Sequence, residues 1–364
     1  MKRYIYMMIG IATLLGACTN EADEPAYEEE DYAITLSAAI SGIDSKTRAV
    51  DAYNDTVPSP SNPLNADVWL STTRGEYLND ADGYVTSTHP GTDEYHLHHT
   101  ITYTNNQLTF LSASAMRNLL LYPVNTEHKT YIVGFAPQGK FSLTGSSGDT
   151  GYGKTASATI DAKTDLMFAP EVMGSRVKEE KIARQDFKHI LTWLKICARA
   201  DNEEAKNSWG SIIGLKLKNT SNKVTVDLST TDINTLKPTF SGSTDLDFDK
   251  TPGGGAITEA NPYALTTYVY EMADILCAPV TISNPSESDS GTAEYTLEVT
   301  TTGNGTKEVS VQLTKDYDSD LIPDGHYTAS ELYVITLAFG QSPTISATCS
   351  LMEWQEEKRD LNLK

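Results

Sequence analysis

The stretch Asp165-Leu166-Met167-Phe168-Ala169-Pro170, followed at Phe187 by Phe187-Lys188-His189-Ile190-Leu191-Thr192-Trp193-Leu194-Lys195-Ile196-Cys197-Ala198, decides how this chain is read. The first run is short, apolar and closed by a proline. The second is the densest apolar segment outside the N-terminal 18 residues. Phe187, Ile190, Leu191 and Leu194 fall at helical spacing, whereas Leu191, Trp193 and Cys197 fit one face of a strand. Periodicity alone leaves both open. Short β-like segments lie on either side, so the stretch reads as the last core element of a first β-rich domain.

Working outward, strand candidates alternate with Gly, Asn and Asp turns at residues 68–70, 101–103, 108–111 and 131–136. The pattern resumes at 212–217, 224–228, 265–270, 280–282, 295–299, 309–313, 333–339 and 345–351. Tyr333, Ile335, Leu337 and Phe339 alternate cleanly, as in antiparallel sheets with one wet face. Residues 112–121 offer at most one helical turn. The polar stretch from Asp201 to Ser208 marks a domain boundary. The expected fold is all-β: two tandem immunoglobulin-like sandwiches with few short helices, over 33–203 and 204–364.

With 364 residues the chain can build two substantial cores. Hydrophobic residues make up 39% and the mean hydropathy is -0.35, which excludes a polytopic membrane protein. A net charge of -21 argues against nucleic acid, because nothing would neutralise phosphates. The same charge repels anionic lipid, so membrane attachment has to be covalent. The four cysteines, Cys18, Cys197, Cys277 and Cys349, are too scattered for a zinc motif. The last three lie in apolar runs and read as buried thiols.

At the N-terminus, Lys2 and Arg3 precede an apolar run from Ile5 to Leu15, well short of the roughly 20 residues that span a bilayer. Residues 1–17 read as a signal peptide. Leu15-Gly16-Ala17-Cys18 resembles the lipobox of bacterial lipoproteins, which implies a lipid on Cys18. Residues 18–32 form an acidic, extended tether. A half-buried strand comes next, with Ile34, Leu36, Ala38 and Ile40 on one face. It gives way to a polar connection containing Lys46-Thr47-Arg48-Ala49.

Three motifs suggest chemistry and are better explained without it. Gly148-Asp149-Thr150-Gly151-Tyr152-Gly153-Lys154-Thr155 fits the P-loop letters, but residues 156–161 have strand or loop character where a phosphate-binding loop needs a helix. His96, His98 and His99 form a cluster in which two share a strand face, with no further ligand at fixed spacing; exposed strand histidines are expected. His189 is expected as a core or edge histidine. The ladders Asp245-Asp247-Asp249 and Asp316-Asp318-Asp320 lack the Gly and Glu of an EF-hand; a solvated acidic loop is the preferred reading of 316–324, with a looser calcium site as its alternative. No catalytic residue, metal ligand or cofactor site is assigned.

The order of several short motifs resembles the fimbrillins, subunits of type V pili. These are the lipobox, the acidic spacer, the alternating first strand and Lys46-Thr47-Arg48-Ala49, then Leu121-Tyr122-Pro123, Gly134-Phe135-Ala136-Pro137, Asp165-Leu166-Met167 and Phe187-Lys188-His189. Gly325-His326-Tyr327 and Trp354 resemble the family's C-terminal end. The resemblance implies two transthyretin-like domains, export as an outer-membrane lipoprotein, and a cut after Arg48 by an Arg-specific protease. It further implies loss of the strand bearing Ile34, Leu36, Ala38 and Ile40, with a neighbouring subunit's strand filling the groove. The partners would be other fimbrillin subunits and a host or bacterial surface ligand. On this chain the candidate donor strand carries Ile345, Ala347, Cys349 and Leu351. A monomeric or fibre-anchoring surface lipoprotein that binds glycans is the alternative, and a hydrolase lacks any placeable nucleophile and base.

Overall fold

The computed structural model describes residues 40–41, 64–78, 96–104, 107–110, 122–123, 125–144, 152–182, 185–228, 237–250, 254–282, 295–311, 313, 326–327 and 329–352. Cys18, Ile34, Leu36, Ala38, Arg48, Ala49, the acidic tether, residues 112–121 and the 316–324 ladder lie outside them.

In chain order the strands begin with β1 (Ile40–Ser41), β2 (Leu64–Ser71), β3 (Tyr77–Leu78), β4 (His96–Thr104), β5 (Gln107–Phe110) and β6 (Thr130–Ala136). Next come β7 (Ser142–Thr144), β8 (Tyr152–Gly153), β9 (Thr155–Thr159), β10 (Met167–Gly174), β11 (Phe187–His189) and β12 (Thr192–Ala200). The α-helix of the described residues, α1 (Glu203–Trp209), leads to β13 (Ser211–Thr220), β14 (Lys223–Asp227), β15 (Pro238–Ser241), β16 (Thr244–Asp247) and β17 (Asp249–Lys250). The remainder are β18 (Tyr263–Ala264), β19 (Tyr270–Cys277), β20 (Thr281–Ile282), β21 (Tyr295–Thr301), β22 (Gly305–Val311), β23 (His326–Tyr327), β24 (Leu332–Phe339) and β25 (Ile345–Met352).

Four sheets form two sandwiches. A seven-stranded sheet in the order β1-β11-β10-β6-β2-β4-β5 faces a four-stranded sheet, β15-β14-β9-β7. Between them lie Trp69, Val133, Phe135 and Phe168 from the first and Leu143, Ala156, Val224 and Val226 from the second. The second sandwich packs β17-β19-β12-β24-β25 on β16-β13-β21-β22, with β18 also paired to β13. Its core joins Leu194, Ile196, Ile335 and Leu337 to Leu215, Leu217, Leu297 and Val299. The all-β, two-sandwich expectation is met.

The stretch whose period was ambiguous is two strands, β11 and β12, parted by Ile190 and Leu191. β12 is interior to its sheet, antiparallel to β19 and parallel to β24. Leu194, Ile196 and Ala198 enter the second core, while Trp193, with Leu191 just before the strand, enters the first. Burial on both faces removes the polar alternation that marks a half-buried strand. That is why the run looked as helical as it looked extended.

β12 therefore does not close the first domain; it belongs to the second sandwich and seals the first from below. In the other direction, β14 pairs with β9, placing residues 223–227 in the first sandwich. The single division expected at 203/204 does not separate the sheets. At that point the chain forms α1, whose only buried residues, Ala205 and Trp209, are one turn apart. The Asn202 side chain accepts the Ala205 N–H at 2.9 Å, and Trp209 Nε1 donates to the Gly340 carbonyl at 2.8 Å. Asn202→Ala is expected to lower stability by about 1 kcal/mol, measured by denaturant titration.

Two further expectations shift. The apolar run at 165–170 does not stop at Pro170: β10 continues to Gly174, with a register shift between Ala169 and Val172. Proline lacks an N–H and is tolerated at such a bulge. The strand expected at 265–270 begins only at Tyr270 and buries 272–277, while Leu265 is buried in the second core ahead of it.

Candidate functional site

Among the described residues β1 ends the seven-stranded sheet, pairing with β11 alone and in parallel, with Ile40 opposite Phe187 and Ser41 opposite Lys188. Phe187 is buried, and its ring lies against Gly134 on β6. A Cβ at Gly134 would stand 2.8 Å from Phe187 Cζ, so only glycine admits the ring. His189, also buried, places Nδ1 2.7 Å from Asp165 Oδ2, and neither side chain is more than 4% exposed. The Ile190 N–H donates to the Leu166 carbonyl at 3.1 Å. From the second sandwich, the Ser330 hydroxyl donates to the His189 carbonyl.

The motif residues converge on this seat. The Tyr122 hydroxyl accepts the Ile182 N–H at 2.6 Å, Gly134 accommodates Phe187, and Asp165 pairs with His189. All three contacts land on residues 182–190, the segment that carries β11. His189 is the core histidine expected; its carboxylate partner was not foreseen, because 24 residues separate the pair in sequence. Gly134→Val is expected to displace Phe187 and destabilise the protein by about 1–3 kcal/mol, read from the shift in Tm.

β25 ends the five-stranded sheet of the second sandwich, antiparallel to β24 along all eight residues. Cys349 is buried, and Ile345, Ala347 and Leu351 pack partly buried against the second core, while Ser346 and Thr348 face outward. The four candidate donor residues thus share one apolar face of an edge strand.

The remaining sequence candidates resolve individually. Lys154 is exposed and β9 comes directly after it, so no helix stands behind the P-loop letters; Gly148 to Gly151 lie outside the described residues. His98 is not an exposed strand histidine. It is half-buried, stacked on Trp69 with centroids 4.6 Å apart, and its Nε2 is 3.1 Å from Asp67 Oδ1. Among the described residues no group of three or more His, Cys, Asp or Glu could hold a metal ion. The first aspartate ladder is explained by lysines: Asp245 with Lys218 at 2.6 Å, Asp247 with Lys216 at 3.8 Å, and Asp249 with Lys163 at 2.6 Å.

Cys197, Cys277 and Cys349 are buried thiols in no disulfide among the described residues, as read from their apolar runs. Burial pushes the Cys197 thiol up to about 11, with nearby Glu271 adding to it, and the Cys277 thiol up to about 12. Only the thiolate reacts, so a maleimide or iodoacetamide is expected to leave all three unlabelled at neutral pH until denaturant is added, as intact mass would report.

No protein-family model and no curated protein matches the chain. Among solved structures, it is similar to a protein from Bacteroides uniformis assigned provisionally to cell adhesion, at 14% identity and a TM-score of 0.48, over 90% of this chain and 100% of that one. It is also similar to a fimbrial protein from Bacteroides vulgatus, at 14% identity and a TM-score of 0.47, over 88% and 99% of the two chains. A fimbrial assembly protein from Parabacteroides distasonis aligns at 10% identity and a TM-score of 0.38, over 89% and 97%. These are likenesses of layout, and no residue role is carried from them.

Proposed function

We propose that the protein is a structural subunit of a surface fimbria, joined to its neighbours by exchange of an edge strand. In this reading it reaches the outer membrane as a lipoprotein with lipid on Cys18 and is then cut after Arg48. The observation that carries the reading is the position of β1. It precedes Arg48, whereas every other described element comes after it, and among the described residues it is bonded to one neighbour. A cut there would free a strand whose departure breaks a single ladder. β11 would become an open edge with Phe187 beneath it, a surface that must be covered and that an incoming strand can extend. β25 is the proposed donor, itself held along one edge. The reading includes no catalytic activity.

Limited digestion of the mature protein with an Arg-specific protease tests it. The expected result is a new N-terminus at Ala49 and an SDS-resistant ladder on an unboiled gel. Resistance at Arg48 would overturn the proposal. A second reading, a glycan-binding surface lipoprotein, has one observation behind it. Tyr268 and Tyr270 are 71% and 56% exposed with ring centroids 6.4 Å apart. A glycan array that lights up for the wild type and not for Tyr268→Ala would favour it.

A further inference from the structure

β24 lies between β12 and β25 in its sheet. A β25 that departs to serve a neighbouring subunit therefore leaves β24 bonded to β12 alone among the described strands. Tension on the donated strand then enters the subunit at Gly340, just beyond the C-terminal end of β24. The accepting strand, β11, is joined to the N-terminal end of β12 through Ile190 and Leu191. β12 and β24 run parallel, paired without a break from Trp193 opposite Leu332 to Ala200 opposite Phe339. Parallel strands pulled from opposite ends are forced to slide, so their evenly spaced bonds bear the load together. Opening from one end would break the same bonds one at a time.

Further bonds prolong the ladder at both ends. The Ser330 N–H donates to the Leu191 carbonyl and the Trp193 N–H to the Glu331 carbonyl, each at 2.9 Å. At the far end the Asp201 N–H donates to the Phe339 carbonyl at 3.0 Å, and Trp209 Nε1 pins the Gly340 carbonyl at 2.8 Å. Gly340 is where a donated strand would leave, so α1 braces that exit. Leu194, Ile196, Ile335 and Leu337 are buried in the second core, and Trp193 and Leu332 in the first. A slip of one residue would turn each of these side chains to the wrong face.

We infer that the β12–β24 ladder is a shear clamp that carries the tension of a fibre through the subunit. The inference rests on the reading that β11 accepts a strand and β25 is donated. It also sets β13 to β23, which lie between the two clamp strands in sequence, outside the load path. Those strands can open without lengthening the fibre.

Optical tweezers on single, uncut chains test this, with handles on paired cysteines in a Cys18→Ser background. Lys188→Cys with Ser342→Cys loads the ladder from opposite ends, and Asp201→Cys with Ser342→Cys opens it from one end. All three positions are exposed, whereas Cys197, Cys277 and Cys349 are buried and stay unlabelled. At one constant force the opposite-end pair is expected to hold about tenfold longer or more, a factor that even two ladder bonds breaking in the same step supply. Near-UV circular dichroism matching the wild type verifies the fold, and Ser342→Cys is common to both pairs, so its local effect cancels. Should Asp201→Cys disturb the fold, Glu203→Cys, also exposed, loads the same end. Equal lifetimes, or an opposite-end pair that yields first, overturn the clamp. The comparison needs one molecule and no neighbour, so its failure is read apart from failure of strand exchange, which a missing SDS-resistant gel ladder reports.

Discussion

Trp193→Ala is expected to lower the free energy of unfolding by about 3–5 kcal/mol, the range for truncating a large buried aromatic. Trp193 is 1% exposed and packs with Leu191, Leu276 and Leu332 into the first core. Its chain neighbours Leu194 and Ile196 belong to the second, so the cavity opens where the sandwiches meet. The ring carries a second load. Lys195 Nζ lies 5.0 Å from its centroid and 3.2 Å from Glu271, and the lysine side chain is 3% exposed. Truncation withdraws a favourable surface from a buried ammonium group. Denaturant titration by fluorescence and circular dichroism checks this. A loss under about 1 kcal/mol would mean that the first core does not depend on β12 as described.

The second large effect belongs to His189→Leu. Removing one member of a buried pair leaves the other without compensation, and here the survivor is the Asp165 carboxylate, on a side chain 4% exposed. The expected loss is about 3–5 kcal/mol. The double variant Asp165→Leu with His189→Leu removes both polar groups and is expected to recover most of it, since apolar replacement of a buried pair is often close to neutral. β11 pairs with β1 and carries His189, so the single variant should also weaken whatever strand occupies the β1 position. Equal losses in single and double variants would show that packing, and not the pair, holds the seat.

The architecture was legible wherever one face of a strand is wet. β25 alternates, with Ser346 and Thr348 marking its outer face, and β24 alternates from Ile335 onward, its first four residues being buried. β12 was legible as core and illegible as strand, since a strand covered on both sides loses its period. Its membership was hidden too, because its neighbours β19 and β24 come 70 or more residues later in the chain and nothing local specifies them. The helix α1 was missed because two buried residues one turn apart do not stand out within a polar stretch.

The candidate seat was half legible. Gly134, Asp165, Phe187 and His189 drew attention as motif letters, but only three dimensions show why. Glycine leaves room for a phenylalanine ring, and an aspartate 24 residues upstream meets the histidine.

Whether β11 is a strand-accepting edge once β1 leaves can be tested directly by adding the strand back. Mature protein cut after Arg48 is incubated with a synthetic peptide of residues 34–41, or with a scrambled control, and its thermal unfolding and ladder formation are followed. The native peptide is expected to raise the Tm of the cut subunit and suppress the ladder in proportion to its occupancy, while the scrambled peptide does neither. A cut subunit that keeps the Tm of the uncut chain, forms no ladder and ignores the native peptide would contradict strand acceptance at β11.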